Sequence, residues 1–524
     1  MGKDFQKKLR SFWPFLILII ASAFLYSYRL DKVPVHLNQD ELEFSLNAYS
    51  ISKTLTDESG RFLPFYFWHL GAFWATPVMT YLTAIFLKFL PLEEQIIRLP
   101  SALIGVSTIA LLMILAQKIF KNKLLTLATG FFAATTPVLF IHSRLLLDNL
   151  YPVPFVVLWL IFLAGYLKNG SPFLLFSSGL SLGIGIHSYH AAKIMMPVYF
   201  LVTVILFWQE LKKDFKSLSV FVLGFAIPII LFIPWLKAHP DTLLNQVGYI
   251  ASIDSSINAQ RGLWGVFSLG RFGDFLSNYV TYLTPGILFF TGDRSLIHST
   301  RTTGAFLFPV VFLLTFGILK IFSSKDKFAK LILFGFLSYP IAPAIVNDPQ
   351  RISRGLIVIP FLLLLSIYGL KYLMAIRKRV FKILIVLVFS LSFIQFAFFL
   401  RDYFGIYRRE SYAWFNNDIG GALESAIKST KIRKVGDVYV DRNIFFAERY
   451  VRFYSIKFAS DLESRAKYFD PASEDFSSSP IYSLVILRAE NAPERTDKIG
   501  MFEKIETIRE PNGYETFYIF YRGR

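Results

Sequence analysis

The sequence predicts a polytopic α-helical membrane protein with about 11–13 transmembrane helices and a small C-terminal α/β domain. Three observations lead to this. Of 524 residues, 54% are hydrophobic and 17% aromatic, with 56 Phe and a mean hydropathy of +0.48, more apolar than a soluble globule of that length. Long apolar runs alternate with short charged loops, each run near the length that crosses about 30 Å of hydrocarbon. From about Arg401 hydropathy falls and strand-like alternation replaces the runs.

The basic N-terminus, with Lys3, Lys7, Lys8 and Arg10, leads into an apolar run as a signal peptide does. No convincing small-residue cleavage site follows, so it reads as a retained first helix. Spans are expected at 12–28, 98–117, 124–141, 151–167, 172–187, 194–208, 218–236, 303–322, 328–346, 355–374 and 381–400. A shorter apolar stretch, 76–90, opens with Thr76-Pro77 and is read as interfacial. Alternate loops then carry the basic residues: Lys118, Lys121 and Lys123; Lys168; Lys212, Lys213 and Lys216; Lys325, Lys327 and Lys330; Arg377, Lys378 and Arg379. That side and the N-terminus are cytoplasmic by the positive-inside rule. The first loop, about 29–97, and the long loop, about 237–302, face the other side of the cell membrane. The membrane part ends near 400, and 401–524 is read as an extracytoplasmic α/β domain. Its strands are expected at 435–441, 481–487 and 516–521 and its helix at 418–430, with loop signals at 477–480 and 511–513.

Net charge is +18. In such a chain it belongs to cytoplasmic loops and lipid headgroups, and no nucleic-acid motif argues otherwise. There is no Cys, which excludes disulfides, thiolate catalysis and Cys-ligated metals.

The polar stretch His36 to Tyr49 follows the first span. Leu42, Leu46 and Tyr49 recur at helical spacing, so a short amphipathic helix is expected, with Asp40 at or just before its start. A simple N-cap is the plain alternative for Asp40, and Glu43 reads as a solvated face. Asp40, Glu41 and Asp148 are adjacent or separated carboxylates on one side of the membrane. They suit general-base work or a divalent cation. Asp148 has its own plain alternative, the N-cap of the next span. The same side holds all seven histidines, at 36, 69, 142, 187, 190, 239 and 298. Of these, His187, His190 and His69 are candidates for a metal or polar site. Arg144, Lys193, Arg351 and Arg354 sit at helix ends there, where cations either anchor helices or meet an anionic headgroup such as a phosphate. In the long loop, Tyr279, Tyr282, Asp293 and His298 mix aromatic and polar groups suited to a sugar or acceptor, or to ordinary interfacial packing.

The ordered set resembles the membrane glycosyltransferases of the GT-C superfold, in particular the dolichyl-phosphate-mannose protein mannosyltransferases and aminoarabinose transferases. It comprises Asp40-Glu41 after the first span, Gly60-Arg-Phe-Leu-Pro64, Arg98-Leu-Pro100, Ser143-Arg144 through Asp148, Tyr189 to Pro197, Asn278 to Gly304, and Arg354 to Pro360. The resemblance covers nearly all of the membrane part. It implies a polyprenyl-phosphate sugar donor, transfer on the extracytoplasmic face, Asp40 as the catalytic carboxylate and Asp148 as the second acid. Two departures stand out. Trp74-Ala-Thr-Pro77 replaces an acid-Lys-Pro segment of some relatives, and Lys193 stands where many carry Arg.

The chemistry agrees. A lipid phosphate is already a good leaving group, so cations and one base suffice, and a single displacement inverts the anomeric centre. The acceptor, whether protein, glycan or lipid, is open. A transporter or flippase of lipid-linked sugars is the other reading. Such proteins place ionisable groups within helices near the midplane and use internal repeats. Here the charges cluster at helix ends, with no obvious repeat.

Overall fold

A computed structural model describes residues 2–212, 215–243, 245, 271–346, 351–471, 479–491 and 501–523, with main chain alone for 2–12, 215 and 216. Within the long loop expected at 237–302, residues 244 and 246–270 lie outside the described residues, as do 477 and 478 of the loop signal at 477–480. The chain forms two compact units. The first comprises Met1–Tyr28, Leu63–Leu82 and Arg98–Leu400; the second comprises Arg29–Phe62, Thr83–Ile97 and Arg401–Arg524.

The first unit is helical. Among the described residues five helices are long and apolar enough to cross a bilayer: Glu94–Phe120, Asp148–Asn169, Ser217–Ala238, Val358–Ala375 and Arg379–Glu410. Six apolar helices are shorter: Trp13–Ser27, Pro77–Phe89, Lys123–Ala134, Pro172–Gly185, Ala192–Leu206 and Val310–Phe322. Proline explains some of the shortness. The span expected at 124–141 is two helices, Lys123–Ala134 and Pro137–His142, because Pro137 cannot donate to the helix before it and instead opens the next. Likewise 328–346 breaks at Pro340, after helix Lys327–Ser338.

Helices pack closely where side chains are absent. A Cβ on Gly317 would collide with the Leu365 carbonyl, and one on Gly369 with the Leu313 carbonyl. Helices Val310–Phe322 and Val358–Ala375 therefore meet backbone to backbone, as small residues permit in membranes. A hairpin of β1 (Phe67–His69) and β2 (Phe73–Ala75) precedes helix Pro77–Phe89, with Trp68 opposite Trp74.

The second unit carries a five-stranded sheet. Its strands are β3 (Val438–Asp441), β4 (Ala466–Phe469), β5 (Ser483–Arg488), β6 (Glu503–Arg509) and β7 (Glu515–Arg522), ordered β4-β3-β5-β7-β6. The first three are parallel and the last two antiparallel to their neighbours. Phe469, Val485, Leu487 and Phe520 form a core on one face. Three strands and helix Ile419–Ile432 lie where alternation and periodicity place them. Strands β4 and β6 were not legible, since Ala-Lys-Tyr-Phe and Glu-Lys-Ile-Glu carry little apolar alternation. The same unit includes helix Gln39–Thr54 from the first loop.

Candidate active site

In the second unit, helix Gln39–Thr54 begins with a capping box. The Asn38 side chain accepts from the Glu41 amide at 3.0 Å, and Glu41 Oε2 accepts from the Asn38 amide at 3.2 Å. The N-cap is thus Asn38, and Asp40 is a half-buried residue of the first turn. Glu41 is fully buried and engaged in the cap, a structural task that weakens its claim to chemistry. Glu43 is not on a solvated face. It is 7% exposed and pairs with Arg449 Nε at 2.5 Å, and Arg449 also binds Glu58. His36 Nε2 lies 2.7 Å from Glu510 Oε2.

The first unit gathers a second set. Asp148 is 8% exposed and accepts a 2.8 Å hydrogen bond from the Thr76 hydroxyl. It opens the 3-10 turn Asp148–Leu150 that leads into the α-helical part, Pro152–Asn169, whose N-cap is Tyr151. The charge of Asp148 acts on Lys193 and on Tyr189. Tyr189 is hydrogen-bonded to Asn149 and feels Arg354. Burial, and after it the Asp148 charge, pushes its phenol up, so it stays a neutral donor. Lys193 Nζ lies 4.9 Å from the centre of the Tyr66 ring and 3.5 Å from His190 Nδ1. The Tyr66 hydroxyl meets His187 Nδ1 at 3.1 Å. Asp148, Lys193, Tyr189 and Arg354 therefore form one electrostatically linked cluster, with Lys193 and Arg354 half-buried.

Other sequence candidates fall elsewhere. Arg144 is wholly buried, and its guanidinium donates to the carbonyls of Tyr26 at 3.0 Å and Tyr28 at 2.7 Å. It closes the C-terminal end of helix Gly2–Ser27. Arg351 acts on Asp293. Asp293, 1% exposed, ties two loops by accepting from the amides of Ser295 at 2.8 Å and Ser353 at 3.3 Å. Burial raises its carboxyl above the ordinary range in spite of these amides and of the Arg351 and His142 charges. His298 Nδ1 lies 3.1 Å from His142 Nε2, with the rings stacked. The Tyr279 hydroxyl donates to the Leu337 carbonyl at 2.5 Å, and Tyr282 is fully buried. Both tyrosines thus pack the loop.

The candidate histidines contact these neighbours. His187 has both ring nitrogens engaged, Nδ1 with Tyr66 and Nε2 3.3 Å from the Pro228 carbonyl. His69 and His190 each pack against Phe73. Among the described residues no three of His, Asp and Glu converge as metal ligands.

Sequence reasoning missed Tyr66 and Thr76. A hydroxyl just before a helix-opening proline, in the segment that departs from the acid-Lys-Pro pattern, was the available signal for Thr76.

Residues 75–237 match the sequence family described as dolichyl-phosphate-mannose-protein mannosyltransferase. No curated protein matches the sequence. The fold is similar to that of ArnT from Cupriavidus metallidurans bound to undecaprenyl phosphate, with a TM-score of 0.53 and 12% identity over 96% of this chain and 98% of that one. It is also similar to the archaeal oligosaccharyltransferase AglB from Archaeoglobus fulgidus in complex with an inhibitory peptide and a dolichol-phosphate. There the TM-score is 0.50, with 13% identity over 97% of this chain and 74% of that one. With the apolar helices, these matches show a helical fold like that of ArnT and a segment, 75–237, similar to the mannosyltransferase family.

Proposed function

We propose that this protein transfers a sugar from a polyprenyl-phosphate donor to an acceptor hydroxyl on the extracytoplasmic face, with inversion. The observation that carries it is the cluster of buried Asp148 with half-buried Lys193, Tyr189 and Arg354, in a fold shared with a protein bound to undecaprenyl phosphate. Lys193 and Arg354 balance the charge that grows on the leaving phosphate, and the neutral Tyr189 hydroxyl donates to the same oxygens. Asp148, held by Thr76, keeps the cations in place before the donor arrives.

Asp40 is the base. The acceptor oxygen attacks the anomeric carbon and passes its proton to the Asp40 carboxylate. The bond from that carbon to the phosphate oxygen breaks, and the electron pair leaves with the lipid phosphate. The positive-inside pattern supports a cytoplasmic N-terminus and an extracytoplasmic C-terminal domain. The chemistry fits a hexose or pentose donor and a protein, glycan or lipid acceptor.

The test is turnover of purified protein with a panel of radiolabelled polyprenyl-phosphate sugars, scoring release of polyprenyl phosphate and labelled product. Turnover of at least one donor is expected. Movement of intact labelled donor across a vesicle bilayer, with no bond cleavage, would replace this reading with transport.

A further inference from the structure

The eight residues 36–43 that surround Asp40 are gripped at four points by the C-terminal segment of their own unit. His36 Nε2 meets Glu510 at 2.7 Å, and His36 Nδ1 lies 3.5 Å from Asp418. The Leu37 carbonyl accepts from the Tyr450 hydroxyl at 2.6 Å. Gln39 Oε1 accepts from Asn416 at 3.1 Å, and Asn416 also reaches Tyr450. Glu43 pairs with Arg449, which is shared with Glu58, and Arg452 lies 3.2 Å from Glu58. These partners come from one helix, Ala447–Lys457, and from the turns before helix Ile419–Ile432 and before β7.

A 16-residue helix is marginal by itself in water, and a carboxylate as buried as Glu43 requires a counter-charge. The grip provides both, and it brackets Asp40 on either side in sequence.

We propose that the C-terminal domain is a positioning device for the catalytic carboxylate, with Tyr450, Asn416 and Arg449 as positioning residues. The proposal rests on Asp40 as the base. A misplacement of about 1 Å at a reacting group can cost about 100-fold in rate, so hydrogen bonds remote from the substrate can govern kcat.

Tyr450→Phe keeps the ring and deletes the bond to Leu37. The pair Arg449→Gln with Glu43→Gln removes both charges and leaves neither carboxylate nor guanidinium of that pair stranded. Each is made in the native background and in Asp40→Asn, and hydrogen exchange of amides 39–43 is followed beside transfer kinetics. The expected result is a kcat about 10- to 100-fold lower with the donor KM within about twofold. Exchange at 39–43 should be faster while the sheet stays protected, and no further loss should appear in Asp40→Asn. Equal losses in both backgrounds, or unchanged kcat in either folded variant, overturn the proposal alone. Normal turnover of Asp40→Asn overturns the base assignment and the proposal with it.

A cavity within the helical unit carries a second inference. A space of about 620 Å³ is walled by Phe15, Leu16 and Ile19 of the first helix and by Met113 and Ile114 of helix Glu94–Phe120, with Lys118 and Lys123 on its rim. The polar groups beside it, Gln117 and Thr126, bond to each other at 2.8 Å. Both lysines are exposed, and the sequence just before Phe15 carries Lys7, Lys8 and Arg10. An apolar slot with a cationic rim complements an anionic phospholipid, its acyl chain within and its phosphate at the lysines. We infer that this groove is a phosphatidylglycerol-type lipid site in the leaflet that holds the N-terminus.

Native mass spectrometry from nanodiscs of phosphatidylglycerol mixed with phosphatidylcholine tests it. Preferential retention of the anionic lipid is expected, about fivefold weaker per lysine lost in Lys118→Gln and Lys123→Gln. Equal retention of both lipids, unchanged retention in the double variant, or retention of undecaprenyl phosphate only would each overturn it.

Discussion

Asp40 and Asn38 stand two residues apart at one helix start, and that spacing lets capping be separated from chemistry. The cap bonds belong to Asn38 and Glu41. Asp40→Asn keeps the volume and removes only a charge near the helix N-terminus, which is worth about 0.3–1 kcal/mol. Asn38→Ala deletes the side-chain acceptor and should cost about 0.5–2 kcal/mol. The kinetic expectation is reversed. Loss of a general base lowers the rate by about 10²–10⁴, which at about 1.36 kcal/mol per tenfold is about 2.7–5.4 kcal/mol of barrier. Initial rates of labelled-sugar transfer and thermal unfolding of the same preparations give both axes. Asp40→Asn should be folded and nearly inactive, and Asn38→Ala less stable but with the larger residual activity. An Asp40→Asn protein that turns over within threefold of the parent would refute the argument and pass the role to Glu41 or Asp148. A variant inactive only because it unfolds would return Asp40 to a structural role.

Two further outcomes follow from the cations and from the long loop. Lys193→Gln and Arg354→Gln should raise the donor KM or lower kcat while unfolding remains near the parent value. Arg144→Gln should lower the unfolding temperature, because it uncovers buried carbonyls; the opposite pairing of effects would reverse the assignments. For Asp293, burial holds the folded pKa above the ordinary 3.8. Its contribution to stability is therefore full below that value and is lost as pH rises through the raised one. The unfolding temperature of the parent minus that of Asp293→Asn should decline on going from pH 4 to pH 7, and a rise would contradict the burial argument.

Much of the fold was legible because bilayer-length apolar runs have few alternative structures. The splitting of 124–141 was legible too, since Pro137 stands inside that run. Glu43 misled for a different reason. Its partner Arg449 lies some 400 positions away, and nothing local marks a carboxylate that a distant arginine will bury. Asp40 is expected at or just before the helix start and lies inside the first turn; sequence could not separate N-cap from first-turn residue, because Asn38 and Asp40 are both good caps. The structure settled it through one amide bond.

The cations show why residue type and position together still leave function open. Arg144, Lys193 and Arg354 all lie at helix ends near polar residues, and sequence treats them alike. What separates them is what their donors meet. Arg144 is wholly buried and turned toward the carbonyls that end the first helix. A phosphate there would have to displace main-chain acceptors in a dry site, exchanging satisfied carbonyls for orphaned ones. Lys193 and Arg354 are half-buried and linked electrostatically to Asp148 and Tyr189. An anion arriving there meets cations already desolvated in part and already balanced by a carboxylate, so little reorganisation is needed when charge develops. A helix-closing arginine and the half-buried Lys193 thus differ in accessibility and in the chemistry opposite them, and both properties arise only when distant segments pack.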